Sequence, residues 1–167
     1  MVPWQLSRDK RGMMPHDGVM KWFDLPPIWL ALMAFLTWHS RGPLGGLDFG
    51  DRSANWIGAA LVLLGIALTV LAILRMRSHR TTPIPHMQPS ALVTDGVFAI
   101  SRNPIYLGDL FILIGFILRW NAPLAVPLVF VFFIILDRRF VRPEEARMRE
   151  HFREEFEQYA KTTRRWI

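Results

Sequence analysis

The chain has 167 residues, one domain's worth, of which 51% are hydrophobic and 20% charged, with a net charge of +6. It contains no cysteine, which excludes disulfides, thiolate metal sites and cysteine nucleophiles. No basic–aromatic nucleic-acid motif accompanies the positive charge, so the charge points to the anionic cytoplasmic leaflet of a membrane, with no nucleic-acid partner.

Residues 1–24 carry Arg8, Lys10, Arg11 and Lys21 and read as a cytoplasmic lead-in, without a signal-peptide pattern. A first apolar segment follows, Leu25 to Trp38, with Pro26 and Pro27 in its first turn, where proline is tolerated. The second, Trp56 to Leu74, is 19 residues without a charge, long enough to cross a bilayer core. Gly58, Gly65 and Ala72 recur in it at seven-residue spacing, a small-residue stripe against which a neighbouring helix packs closely. Gly108 and Gly115 form a matching stripe in the third segment, and the two stripes are expected to face each other.

Between segments two and three lies a Pro-rich connector and then Leu92 to Gly108, LVTDGVFAISRNPIYLG. Thr94-Asp95-Gly96 reads as a tight turn, with Gly96 free to take positive φ. Asn103–Pro104 is a helix start, with the asparagine side chain expected to cap an orphan N–H and the proline at the first helical position. Segments three and four, Ile105 to Leu118 and Trp120 to Leu136, are joined so briefly that they must form an antiparallel hairpin. Pro127 is expected to kink the fourth. Three of the four runs are short for a span, and a locally thinned bilayer accommodates such runs.

The predicted fold is all-α: an integral membrane domain, residues 25–142, of about four transmembrane helices (25–40, 55–76, 104–119 and 121–140). A cytoplasmic amphipathic tail, 143–167, follows it. Seventeen of the twenty cations fall on one side of this topology and only Arg41, Arg52 and Arg119 on the other. That split puts both termini in the cytoplasm, and a bacterial inner membrane is the expected location. In the tail, Met148, Phe152, Phe156 and Tyr159 mark one apolar face of a helix that opens with Glu144 and Glu145.

The hairpin brings Arg102–Tyr106, Asp109, the Asp137-Arg138-Arg139 run and Glu144–Glu145 to one membrane face. An acid a turn and a half into a membrane helix, as Asp109 is, marks a function or a structural pair with Arg138, Arg139 or Arg142. A helix N-terminus beside an arginine holds an anionic group. The five histidines show no metal-ligand spacing, and no phosphate loop or nucleophile elbow is present; no metal site is expected.

LVTDGVFAISRNPIYLG, followed by EEARMREHFREEFEQYAKTTRRW, resembles the isoprenylcysteine carboxyl methyltransferase and phospholipid methyltransferase superfamily over roughly residues 81–167. The shared pattern is an L-V-T-x-G loop, an R-[HN]-P-x-Y helix start, a two-helix hairpin, a glutamate pair and a tail with a late arginine. The resemblance implies an integral membrane methyltransferase that uses S-adenosylmethionine without a Rossmann domain. It implies a cofactor site of Val93, Gly96, Arg102, Asn103, Pro104, Tyr106, Glu144 and Glu145. For the acceptor, Asp109 is the candidate for removing a proton from an amine, and Arg139 for orienting a carboxylate. The expected acceptor is lipophilic or membrane-delivered: an isoprenylcysteine-like carboxylate, a phospholipid amine or a small thiol. Asn103 stands where the prenylcysteine enzymes have histidine, and Arg153 where glycine is frequent. The alternatives are a nicotinamide-dependent membrane reductase of the sterol reductase type and a non-catalytic protein on the same fold.

Overall fold

The computed structural model describes residues 25–42, 44, 47–81 and 90–167; the lead-in expected at 1–24 and most of the Pro-rich connector lie outside the described residues. Among the described residues the fold is all-helical. It comprises α1 (Pro26–His39), α2 (Arg52–Ser78), α3 (Pro104–Arg119), α4 (Val126–Ile135) and α5 (Arg142–Thr162). A π-helical segment, Leu136–Val141, joins α4 to α5, and 3-10 turns at Gly96–Ala99 and Pro123–Ala125 precede α3 and α4. One described helix, α2, is long and apolar enough to cross a membrane. The other apolar helices are shorter, at 14, 16 and 10 residues.

α2 and α3 pack along their glycine stripes, in antiparallel register. A Cβ placed on Gly58 would lie 2.7 Å from the Gly115 carbonyl oxygen, and one on Gly115 2.6 Å from that of Gly58. Gly65 and Gly108 face each other in the same way, and Ala72 is fully buried one repeat further on. The backbones touch, so the seam is built from main-chain packing. The main core lies on the other side of α3. There Tyr106, Leu110, Leu113 and Ile117 meet Met33 of α1, Phe132 of α4, and Leu136 and Phe140 of the π segment. Faces turned away from these seams stay apolar and exposed: Phe35 on α1, Leu63 and Leu71 on α2, and Phe130 on α4.

Pro127 does not kink α4. It lies in the first turn, where no intrahelical N–H bond is lost. The proline that perturbs this rod is Pro143. Its missing N–H and its ring disturb the preceding turn, and there the backbone widens to π geometry, with the Arg142 N–H bonding the Asp137 carbonyl five residues back. Because the rod runs on without a break, Glu144 and Glu145 do not open a helix and have no free N-terminal N–H groups to complement.

The tail helix itself is broken at Arg153. Arg153 takes φ 46° and ψ −115° inside α5 and folds its second half back. The apolar face is therefore split: Phe156 and Tyr159 are buried, while Met148 and Phe152 are only partly so. Arg149 bridges the kink to Glu157 at 2.9 Å. The Arg153 conformation suits glycine and strains any side chain. Arg153→Gly is expected to raise stability by about 1–2 kcal/mol, read as a higher thermal midpoint in detergent. Arg153→Ala, which keeps the strained Cβ, should give no such gain.

Candidate functional site

α3 begins at Pro104, so Arg102 and Asn103 sit at its mouth. Asn103 occupies the N-cap position, but its side chain does not cap the helix. Its amide Nδ2 instead donates to the Arg165 carbonyl at 2.9 Å, and Ser101 Oγ accepts from the Asn103 backbone N–H at 3.1 Å. The returning tail supplies a better partner, and the asparagine is spent on docking it.

Arg102 is one-tenth exposed. Its Nε and Nη2 donate to Glu145 Oε1 at 3.2 and 3.0 Å, and its Nη1 to the Ala160 and Thr163 carbonyls at 2.9 and 3.0 Å. Glu145, 3% exposed, is held from the other side by Arg165, at 3.0 Å to Oε1 and 2.6 Å to Oε2. Arg165 also approaches Asp137 at 3.7 Å. One carboxylate is thus clamped between a guanidinium from the α3 mouth and one from the C-terminal segment that follows α5. Tyr159 completes the docking, its hydroxyl donating to the Phe98 carbonyl at 2.6 Å.

One helical position away, the Tyr106 hydroxyl donates to Glu144 Oε2 at 2.8 Å. Its ring lies 6.2 Å from that of Phe140 in the π segment. Asp109 lies three residues further along α3, 6% exposed, and its Oδ2 is buried with no hydrogen-bond partner. The arginine lock open to it in the sequence does not form through Arg142, which bonds Asp137 at 2.5 Å instead. The π turn divides the Asp137-Arg138-Arg139 run, turning Asp137 inward and leaving Arg138 and Arg139 exposed. Arg139 holds its guanidinium 5.7 Å from the Trp29 ring of α1.

Val93 and Gly96 are held by α2. Val93 packs with Ala72 and Phe98. Gly96 takes φ 62°, and a Cβ there would meet Arg75 Nε at 3.3 Å. Asp95 beside it is bound by the Arg75 guanidinium and by His79 at 3.2 Å. The structure therefore brings Arg102, Asn103, Pro104, Tyr106, Glu144 and Glu145 together, with Asp109 beneath Tyr106, and leaves Val93 and Gly96 against the end of α2. The residue that sequence reasoning left out of the site is Arg165. The only signal for it was a late arginine beyond the tail helix, and Arg164 satisfies that equally.

Burial works against the charge on Glu145, but the hydrogen bond from Arg165 and the charges of Arg102 and Arg165 outweigh it and hold its carboxyl below the ordinary 4.5. Arg165 is correspondingly raised by its hydrogen bond to Glu145. A lowered acid stabilises the fold fully above its unfolded value, and that contribution is lost as pH falls through the folded value. Tail docking is therefore expected to weaken only below about pH 4. Trp166, whose ring lies 4.9 Å from that of Phe133, reports it by fluorescence. The acid transition should vanish in Glu145→Gln.

The family model described as phospholipid methyltransferase matches residues 53–155. No curated protein matches the chain.

Proposed function

The chain belongs to the phospholipid methyltransferase family, and from that premise we propose that it is an integral membrane enzyme moving a methyl group from S-adenosylmethionine to a lipophilic or membrane-delivered acceptor. The observation that carries this reading is the buried, unpartnered Asp109 Oδ2 one turn beneath the Tyr106–Glu144 pair. A buried acceptor atom left without a hydrogen bond is costly, and a bound group that supplies one repays it.

The residues fit the cofactor. Glu144 offers a carboxylate to an ammonium or to ribose hydroxyls, and Tyr106 and Pro104 wall the mouth of α3. Arg102 and Asn103 act mainly by fixing that wall, since Arg102 gives most of its donors to Glu145 and two carbonyls. The sulfonium supplies an activated methyl group, so the chain needs no nucleophile of its own. What the chain contributes is orientation and dryness. Asp109 takes the proton released when an amine acceptor is methylated. Arg139, exposed at the inner end of the rod, orients an anionic acceptor group.

In this reading all four apolar helices are in the membrane, with both termini cytoplasmic and the bacterial inner membrane as the setting. The exposed apolar faces of α1 and α4 support it, as does the pairing of Trp38 with Trp120 at 5.2 Å, an aromatic belt at the outer ends. Residues 143–167 then form a cytoplasmic tail that closes the site. S-adenosylhomocysteine is expected to raise the thermal midpoint of the detergent-purified protein, by about 2.7 kcal/mol of stabilisation at a hundredfold excess over Kd. NADPH should not. Stabilisation by NADPH alone would replace the methyltransferase with a reductase.

A further inference from the structure

The apolar helices differ in length in a patterned way. The uncharged stretch of α2, Trp56 to Leu74, rises about 28 Å, close to a normal hydrocarbon core. On the opposite flank the interfacial markers are far closer together. α1 carries a tryptophan under an arginine at each end. Arg139 lies 5.7 Å from the Trp29 ring and Arg41 3.2 Å from the Trp38 ring. Tryptophan and arginine in such pairs settle at the membrane–water boundary. The two are nine residues apart, a rise of only about 14 Å.

α4 is short as well: its ten residues, Val126–Ile135, rise about 15 Å before the charged π segment. Trp166, from the charged C-terminal segment, seats on Phe133 with ring centroids 4.9 Å apart. The exposed side chains between these markers are apolar: Leu32 and Phe35 on α1, Val126 and Phe130 on α4.

We propose that the protein sits in a bilayer that it thins locally on the α1/α4 flank, so that its partner there is a shortened layer of lipid acyl chains. The hydrophobic belt is a wedge, full height at α2 and about half that at α1 and α4. The thin side is the one that carries Arg139, Glu144 and Tyr106. Headgroups on that flank then stand level with Tyr106 and Asp109, and an acceptor borne by a lipid reaches the buried carboxylate without crossing hydrocarbon. This inference rests on the membrane reading above.

The test is thermal unfolding of the full chain in phosphatidylcholine vesicles with acyl chains from about 14 to about 22 carbons. The midpoint is expected to be highest in the shortest chains and to fall by about 5 °C or more towards the longest. Replacing both inner markers, Trp29→Leu with Trp166→Leu, should shift the optimum to longer chains. An optimum at 18 carbons or above in the unaltered protein overturns the proposal, as does an optimum the double variant leaves in place. Nitroxide labels at Phe35 and Phe130 separate the two levels of the argument. Labels whose spin relaxation is enhanced by water-soluble paramagnetic reagents and not by oxygen would overturn the membrane placement of α1 and α4 itself. Lipid-exposed labels with a long-chain optimum would overturn the thinning alone.

Discussion

Gly65→Leu is expected to leave little folded protein, with a cost of at least about 3 kcal/mol. The reason lies in what a side chain would meet. A Cβ at Gly65 would run into the Gly108 carbonyl oxygen, and would lie 2.7 Å from Ile112 Cγ1 and 3.1 Å from the Ile112 nitrogen. Two of those three neighbours are backbone, which has no rotamer to yield. Relief requires α2 and α3 to separate along their whole seam, losing the Gly58–Gly115 approach as well. On the membrane reading proposed above, no hydrophobic force pulls them back, because lipid tails solvate leucine as well as a helix does. Ala67→Leu is the control. Ala67 lies on the same helix but on its exposed face, and a leucine there should change the unfolding midpoint little. If Gly65→Leu unfolds in mild detergent like the unaltered protein, the seam does not govern the fold.

That seam was legible in the sequence because seven-residue spacing of small residues has one strong physical reading. The start of α3 was legible too, because Asn103–Pro104 restricts the backbone locally. What escaped depended on partners distant in the chain. Asn103 caps nothing because the tail brings it the Arg165 carbonyl, 62 positions away. The π turn depends on Pro143 falling inside a rod whose continuity no local pattern announces. Arg153 shows the opposite case. A departure from a frequent glycine was visible in the sequence, and the backbone there adopts the conformation that glycine favours. Of what the proposed wedge rests on, the sequence showed the apolar runs that are short for a span. The pairing of Arg139 with Trp29 and of Trp166 with Phe133, which gives those runs a depth, belongs to tertiary structure alone.

Glu145→Gln is expected to have the second large effect, at the site itself. The carboxylate is nearly inaccessible and serves two guanidiniums, Arg102 at 3.0 Å and Arg165 at 2.6 Å. Removing its charge while keeping its shape leaves Arg102 buried without a counter-ion. Breaking a buried pair from one side costs about 3–5 kcal/mol, most of it the penalty on the stranded charge. The tail should therefore release from Ser101–Asn103, and Trp166 fluorescence should shift towards that of a solvated ring at neutral pH. Because Glu144 and Tyr106 share the same wall, S-adenosylhomocysteine affinity should fall about ten- to a hundredfold. Glu144→Gln separates wall from ligand. Glu144 accepts from Tyr106, whereas the Arg102 and Arg165 guanidiniums bond Glu145, so the loss of Glu144 should weaken the ligand while Trp166 stays docked. A second arm uses Arg165→Met. Combined with Glu145→Gln it should cost less than the two changes added, because each single change already loses the Arg165–Glu145 pair and the double variant loses it once. Strict additivity would mean that the clamp is not a unit. Wild-type affinity in both glutamate variants would place the cofactor elsewhere on the molecule and reduce the cluster to a fastening for the tail.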